Sequence, residues 1–148
     1  MVKRRRQSAG RGGSNGKSVF EAQAAFRLAL RQFLHFSEST ARSAGLTQQQ
    51  YQALLAVYVD PGHDSIRVGE LASRLQIRHH SAVGLVDRLV ARGLVIRERA
   101  ESDRRIVQLV VTARGRRLLR RVSAKNRQEL RRLRPELIGF LRRLGSLA

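Results

Sequence analysis

Between Val68 and Gly115 the hydrophobic period of the chain changes from helical to strand-like, and this succession constrains the fold more than any other feature. Glu70, Leu71, Ala72 and Leu75 mark a compact helix of about two turns. Ala82, Leu85, Val86 and Leu89 then form an apolar stripe of helical period, predicting a helix over 79–92. Gly93 stands where a C-cap glycine belongs. Beyond it, Leu94–Arg99 and Arg105–Val111 are strand-like runs around the polar tip Ala100–Arg104, a hairpin. Helix, turn, helix and cation-tipped ribbon are the parts of a winged helix-turn-helix. A helix of this kind fits a major groove, and a thin ribbon reaches the adjacent minor groove or backbone.

The flanks predict further helices. Ser18 with Glu21 forms a capping box, and Phe26, Leu30, Phe33 and Leu34 recur at helical spacing, predicting a first helix over 19–43 that Gly45 stops. Thr47 with Gln50 opens a second helix carrying Tyr51, Leu54, Leu55 and Tyr58, ended by the turn Asp60-Pro61-Gly62. Ile66 begins a short extended piece. Neither Arg67 nor Arg78 is a good N-cap for the helix it precedes. Thr112 caps a long fifth helix reaching Leu133, and Pro135 suits the first turn of a sixth carrying Leu137, Ile138, Leu141 and Leu144. The fold class expected is mainly α with a small β-hairpin wing (α+β). Residues 1–17 read as a disordered basic arm and 18–148 as a single domain. Within that domain 46–112 form the winged lobe, and 18–44 with 113–148 form a helical dimerisation region.

Charge points the same way. Thirty Lys and Arg against eleven Asp and Glu give a net charge of +19, which makes a polyanion the default partner. The excess is uneven: net +6 over 1–17, +3 over 18–112 and +10 over 113–148. The winged lobe therefore stands on pattern, not on charge. A solubilising tail is the alternative reading of the first segment, and a GC-rich genome is an alternative source of the arginine bias.

Several classes are set aside. With no cysteine there is no disulfide, zinc-thiolate or thiol redox chemistry. No apolar run approaches the ~18 residues of a membrane span, and the basic start lacks the apolar stretch of a secretory signal. A cytoplasmic, nucleoid-associated protein is expected. The run GRGGSNGKS resembles a phosphate-binding loop, but Arg11 stands where its first glycine is needed and no strand precedes it. Carboxylates are scattered and no nucleophile motif appears, so an enzyme is not expected. Adjacent His79 and His80 face different directions, and His35 and His63 are far away in sequence, so no metal or cofactor is expected.

The runs LTQQQYQALLAVYVDPG, VGELASRLQI and SAVGLVDRLVARGLVIRERAESDRRIVQLVVTARG together resemble the MarR family of bacterial transcription regulators over about residues 19–147. The specific pieces are Leu46-Thr47, Glu70-Leu71-Ala72, Asp87-Arg88-Leu89, Arg92-Gly93-Leu94-Val95, and Asp103-x-Arg105 leading to Thr112 and Gly115. The resemblance implies a homodimer of winged helix-turn-helix lobes on a helical dimerisation region, usually repressing nearby genes. It also implies that Arg105 enters the minor groove or meets phosphate while Asp103 orients it. Three departures stand out: Arg67 replaces the usual Ser or Thr before the third helix, Leu109-Val110-Val111-Thr112 ends the wing, and Gly84 lies on the reading helix.

The candidate DNA-facing residues follow. With the apolar stripe inward, the fourth helix shows Arg78, His79, His80, Ser81, Val83 and Gly84 outward. Histidine and serine can hydrogen-bond bases or phosphates, Val83 can pack on a thymine methyl, and Gly84 lets backbone come close. Arg67, Arg88, Arg97, Arg99 and Arg104 suit phosphate. The partners expected are double-stranded DNA, a second copy of the chain and a small-molecule effector whose pocket would be lined by Phe33, Phe36, Tyr51 and Tyr58. The competing reading is a general basic nucleic-acid-binding or packaging protein without operator specificity.

Overall fold

The computed structural model describes residues 12–59 and 65–145. In chain order the elements are α1 (Gly12–Ser43), α2 (Gln48–Tyr58), β1 (Ser65–Ile66), α3 (Val68–Leu75), α4 (His79–Ala91), β2 (Val95–Arg99), β3 (Val107–Val111) and α5 (Ala113–Gly145). The strands form one antiparallel sheet ordered β1-β3-β2, with Val95 opposite Val111 and Arg99 opposite Val107. This is the winged-helix arrangement expected, with β1 added as a third strand by pairing Ile66 with Leu109.

Three helix ends are built alike. The N–H groups of Leu46, Ile77 and Leu94 reach back to the carbonyls of Ala41, Ala72 and Leu89 at 2.9, 3.0 and 3.0 Å. Each bond spans a left-handed residue, Gly45 (φ 75°), Gln76 (φ 54°) or Gly93 (φ 64°). This geometry satisfies orphan carbonyls and turns the next apolar side chain inward. Leu46 and Leu94 are buried and Ile77 packs against the same core. The two glycines were legible; Gln76 carries no such signal.

Two expected boundaries move. α1 begins at Gly12, so Ser18 lies inside the helix instead of capping it, and 12–17 are helical where a disordered arm was expected. Lys17 and Glu21, 3.9 Å apart at i, i+4, lend this turn side-chain support. The rest of the arm, 1–11, and the turn Asp60-Pro61-Gly62 lie outside the described residues. Pro135 does not start a sixth helix but sits within α5. Its ring removes one N–H from the ladder, yet Leu133 before it is buried and Leu137 and Ile138 after it are half-buried, so the apolar face carries the helix through.

The chain divides into two compact units, one from residues up to Leu34 together with those from Glu129, the other from His35–Gln128. The second is larger than the expected 46–112 lobe. Ala41 at the end of α1 and Leu119 and Val122 in α5 share its core with Leu54, Leu71, Leu85, Leu89, Leu94 and Leu109. Buried Asn126 donates to Ser37 Oγ at 3.0 Å, and the Tyr51 hydroxyl lies 3.1 Å from that of Ser123.

In the first unit the rings of Phe26 and Phe140 stack at 4.3 Å between centroids. The expected stripe is not what α1 buries there. Ala22 and Ala29 are buried, whereas Leu30 and Leu34 are 43% and 46% exposed.

Candidate nucleic-acid interface

α4 turns Ala82, Leu85, Val86 and Leu89 into the core, as the periodicity predicts. Arg78, His79, His80 and Ser81 are consequently exposed at its first turn, with Val83 and Gly84 half-buried one turn on. Arg78 at the N-cap makes no side-chain capping bond, so the first N–H groups of α4 are left for an outside acceptor. That is the polarity that favours a phosphate.

α3 starts with half a capping box. The Glu70 carboxylate accepts the Arg67 backbone N–H at 2.8 Å, while the Arg67 side chain, which has no acceptor to offer, remains exposed. The cap lost by placing arginine here is thus partly recovered by Glu70, and the guanidinium is left exposed.

Helix and wing are fixed to each other by Arg97. Its Nη2 lies 2.6 Å from Asp87 Oδ1, joining β2 to the outer face of α4. Arg97, expected among free phosphate-binding cations, is therefore engaged within the protein. Arg88, Arg99 and Arg104 are exposed.

At the wing tip the Ala100 N–H donates to Ile106 O and the Ile106 N–H to Asp103 O, each at 2.9 Å. Asp103 Oδ1 accepts the backbone N–H of Arg105 at 2.9 Å. The aspartate was expected to hold the Arg105 guanidinium; instead it fixes the turn from which that side chain projects, an Asx-type contact. The Arg105 side chain is exposed.

The base of the wing closes through Thr112. Its hydroxyl donates to Gly93 O at 2.7 Å and accepts the Gly115 N–H at 3.0 Å, capping α5, while its own N–H donates to Leu94 O at 3.0 Å. A Cβ on Gly115 would lie 2.3 Å from the Leu94 carbonyl oxygen, so only glycine allows this approach. A second junction escaped the sequence reading: Arg92 Nη1 donates to buried Gln50 Oε1 at 2.9 Å, the atom that also caps Thr47 N at 3.0 Å.

None of the four aromatics expected to line a ligand pocket lines either of the two recesses described in the His35–Gln128 unit. Tyr51 is buried with its hydroxyl at Ser123, Tyr58 packs partly on the core, and Phe36 is half-buried. Phe33 belongs to the other unit. The recesses found in the His35–Gln128 unit are lined by Thr40, Ser43, Ala44, Arg121, Val122 and Lys125, and by Glu38, Arg42, Gly45, Leu46, Thr47 and Gln48. Among the described residues no group of three or more His, Cys, Asp or Glu could hold a metal ion, and no helix is long and apolar enough to cross a membrane.

Comparison with known proteins agrees with this geometry. The MarR family model matches residues 44–106, which contain α2 to the wing tip. No curated protein matches the chain. Among solved structures, AbsC, a MarR family transcriptional regulator from Streptomyces coelicolor, is 29% identical with a TM-score of 0.62, over 74% of this chain and 76% of that one. The multiple antibiotic-resistance repressor (MarR) from Listeria monocytogenes is 25% identical with a TM-score of 0.70, over 92% and 97%. BpsR from Bordetella bronchiseptica shares the fold at 22% identity and a TM-score of 0.60, over 82% and 89%. In its ordered motifs, its family-model match over residues 44–106 and its fold, the chain is similar to the MarR family, whose members are transcription regulators and not enzymes.

Proposed function

We propose that the protein is a homodimeric, sequence-specific repressor that binds a two-fold symmetric operator and is released by a small ligand. The observation that carries the DNA reading is the Asp87–Arg97 bridge at 2.6 Å, which makes the exposed start of α4 and the wing one preorganised surface. Preorganisation lowers the ordering cost of docking. His79, His80, Ser81, Val83 and Gly84 face bases; Arg67, Arg78, Arg88, Arg99, Arg104 and Arg105 meet phosphate, with Asp103 shaping the tip.

Dimerisation is supported by the unit that combines both ends of the described chain. Phe20, Leu28, Leu30, Leu34, Leu130 and Leu141 are exposed there, and a second copy would bury them. A dimer also places two reading helices about one helical turn of DNA apart. Release by a ligand has a precedent in BpsR, whose DNA binding is regulated by 6-hydroxynicotinic acid.

The test is selection from random duplex DNA with the purified protein, followed by footprinting. Protection of a two-fold symmetric site that survives competitor DNA supports the regulator. Protection no better than that of random DNA rejects it in favour of a general basic nucleic-acid protein.

A further inference from the structure

Within the unit His35–Gln128, α5 carries Arg114, Arg116, Arg117, Arg120, Arg121, Lys125 and Arg127 and no acid. Arg116 donates to the Val111 carbonyl at 2.8 Å. Arg114, Arg117, Arg121 and Lys125 are exposed, and their spacing of three, four and four places them on one narrow arc. About 16 Å of helix separates the first from the last. None of the four has an ion-pair partner among the described residues, and the next acid, Glu129, is held by Arg132.

At its far end this row borders a recess of about 260 Å³ between α1 and α5, lined by Thr40, Ser43, Ala44, Arg121, Val122 and Lys125. Thr40 is 7% exposed, and its hydroxyl makes no hydrogen bond among the described residues. A threonine hydroxyl with no protein partner is a donor open to a bound anion.

We infer that this face of α5 is a second phosphodiester-binding surface, a backbone track for duplex DNA separate from α4 and the wing, with one phosphate seated between Thr40, Arg121 and Lys125. The inference rests on the reading that the protein binds DNA and extends it. One strand of duplex carries a phosphate every ~3.4 Å along the axis, so a row of this length faces several of them. A two-fold copy of the chain fits worse, because pairing this face with itself sets cations against cations.

The test uses the full chain and random-sequence duplex, with affinity measured against KCl concentration. Replacing the row, R114Q/R117Q/R121Q/K125Q, lowers the slope of log K against log salt by about three to four per protomer, at ~0.9 per phosphate. The smaller variant R121Q/K125Q lowers it by about two, and T40V weakens binding a few-fold with the slope unchanged. The preference for a selected operator over random DNA stays as in the wild type. An unchanged slope overturns the proposal, as does a change in oligomeric state, which would make the face a contact between copies. Saturable binding of inorganic phosphate that the variants lose while the slope persists also overturns it, by making the recess a small-anion site. Failure of operator selection with the slope loss intact leaves the track standing and removes only the regulator.

Discussion

The two units of this chain solve the burial problem to different degrees. In the His35–Gln128 unit, Leu46, Leu54, Leu71, Leu85, Leu89, Leu94 and Leu109 are all 2% exposed or less. In the other, α1 turns small residues inward, Ala22 and Ala29, and presents Phe20 at 71%, Leu28 at 53% and Leu34 at 46% exposure. Small-in and large-out reverses the pattern of a self-sufficient helix pair. One unit is finished by its own sequence; the other, with large apolar side chains still open to solvent, is not.

A matched pair of truncations gives the largest contrast. Leu89→Ala removes a fully buried side chain and is expected to destabilise the His35–Gln128 unit by about 2–5 kcal/mol in urea unfolding followed by tyrosine emission. Both tyrosines, Tyr51 and Tyr58, lie in that unit, so the signal is local. Leu34→Ala is expected to leave that transition in place and to lower the dimer fraction in sedimentation. Equal losses of the tyrosine transition in the two variants would erase the distinction between the units.

Gly115→Ala tests how tightly the finished unit is closed. The new Cβ would meet the Leu94 carbonyl oxygen at 2.3 Å and Val111 Cγ1 at 2.7 Å, so backbone must move. A loss of about 1–3 kcal/mol is expected from overpacking, with weaker DNA binding because the wing is rooted there. Wild-type stability in the same denaturation experiment would mean that the junction is loose.

Much of the finished unit was legible because local signals and the tertiary answer coincide. The Thr47–Gln50 capping box, the inward set Ala82, Leu85, Val86 and Leu89, the Gly93 cap and the Thr112 cap are all present as read. What the sequence hid are choices among partners of equal chemistry. Asp103 could accept from a guanidinium or a backbone N–H, and spacing cannot tell which; Arg97 could face phosphate or Asp87. Gln76 adopts a left-handed conformation that local preference would give to glycine or asparagine, because closing α3 over Ile77 decides it. Pro135 and the Ser18–Glu21 box misled in the other unit for a related reason: breaker and cap rules describe an isolated helix end, and α1 and α5 run on through both.

Within the finished unit, stability and binding can be made to oppose each other. Gly84 sits on the half-buried outer side of α4, and a Cβ there meets only Arg88 Nη1, at an ordinary 3.7 Å. Gly84→Ala should therefore stabilise the unit by up to about 1 kcal/mol through helix propensity, while operator affinity falls because the backbone no longer approaches the base edges. A stabilised variant with undiminished affinity would remove Gly84 from the interface.

The smallest effect belongs to the unfinished unit and is read through pH. Arg132 forks onto Glu129, with Nε at 3.1 Å from each carboxylate oxygen and Nη2 at 2.6 Å from Oε1. This hydrogen bonding, aided by the opposite charge, holds the Glu129 carboxyl below the usual carboxylate range and raises the guanidinium in turn. A carboxyl depressed in the folded state contributes stability above its unfolded value of about 4.3, and that contribution disappears as pH falls through the folded value. Glu129→Gln removes it at every pH. Urea midpoints of wild type and variant, read by helix ellipticity, should therefore separate at pH 7 and converge toward pH 3, with the gap shrinking in high salt because the Arg132 side of the pair is open to solvent. Tyrosine emission, which reports only the other unit, should show no such gap. A gap of equal size in both signals would mean that the two units unfold as one, and a gap that persists at pH 3 would take the effect away from the carboxylate charge.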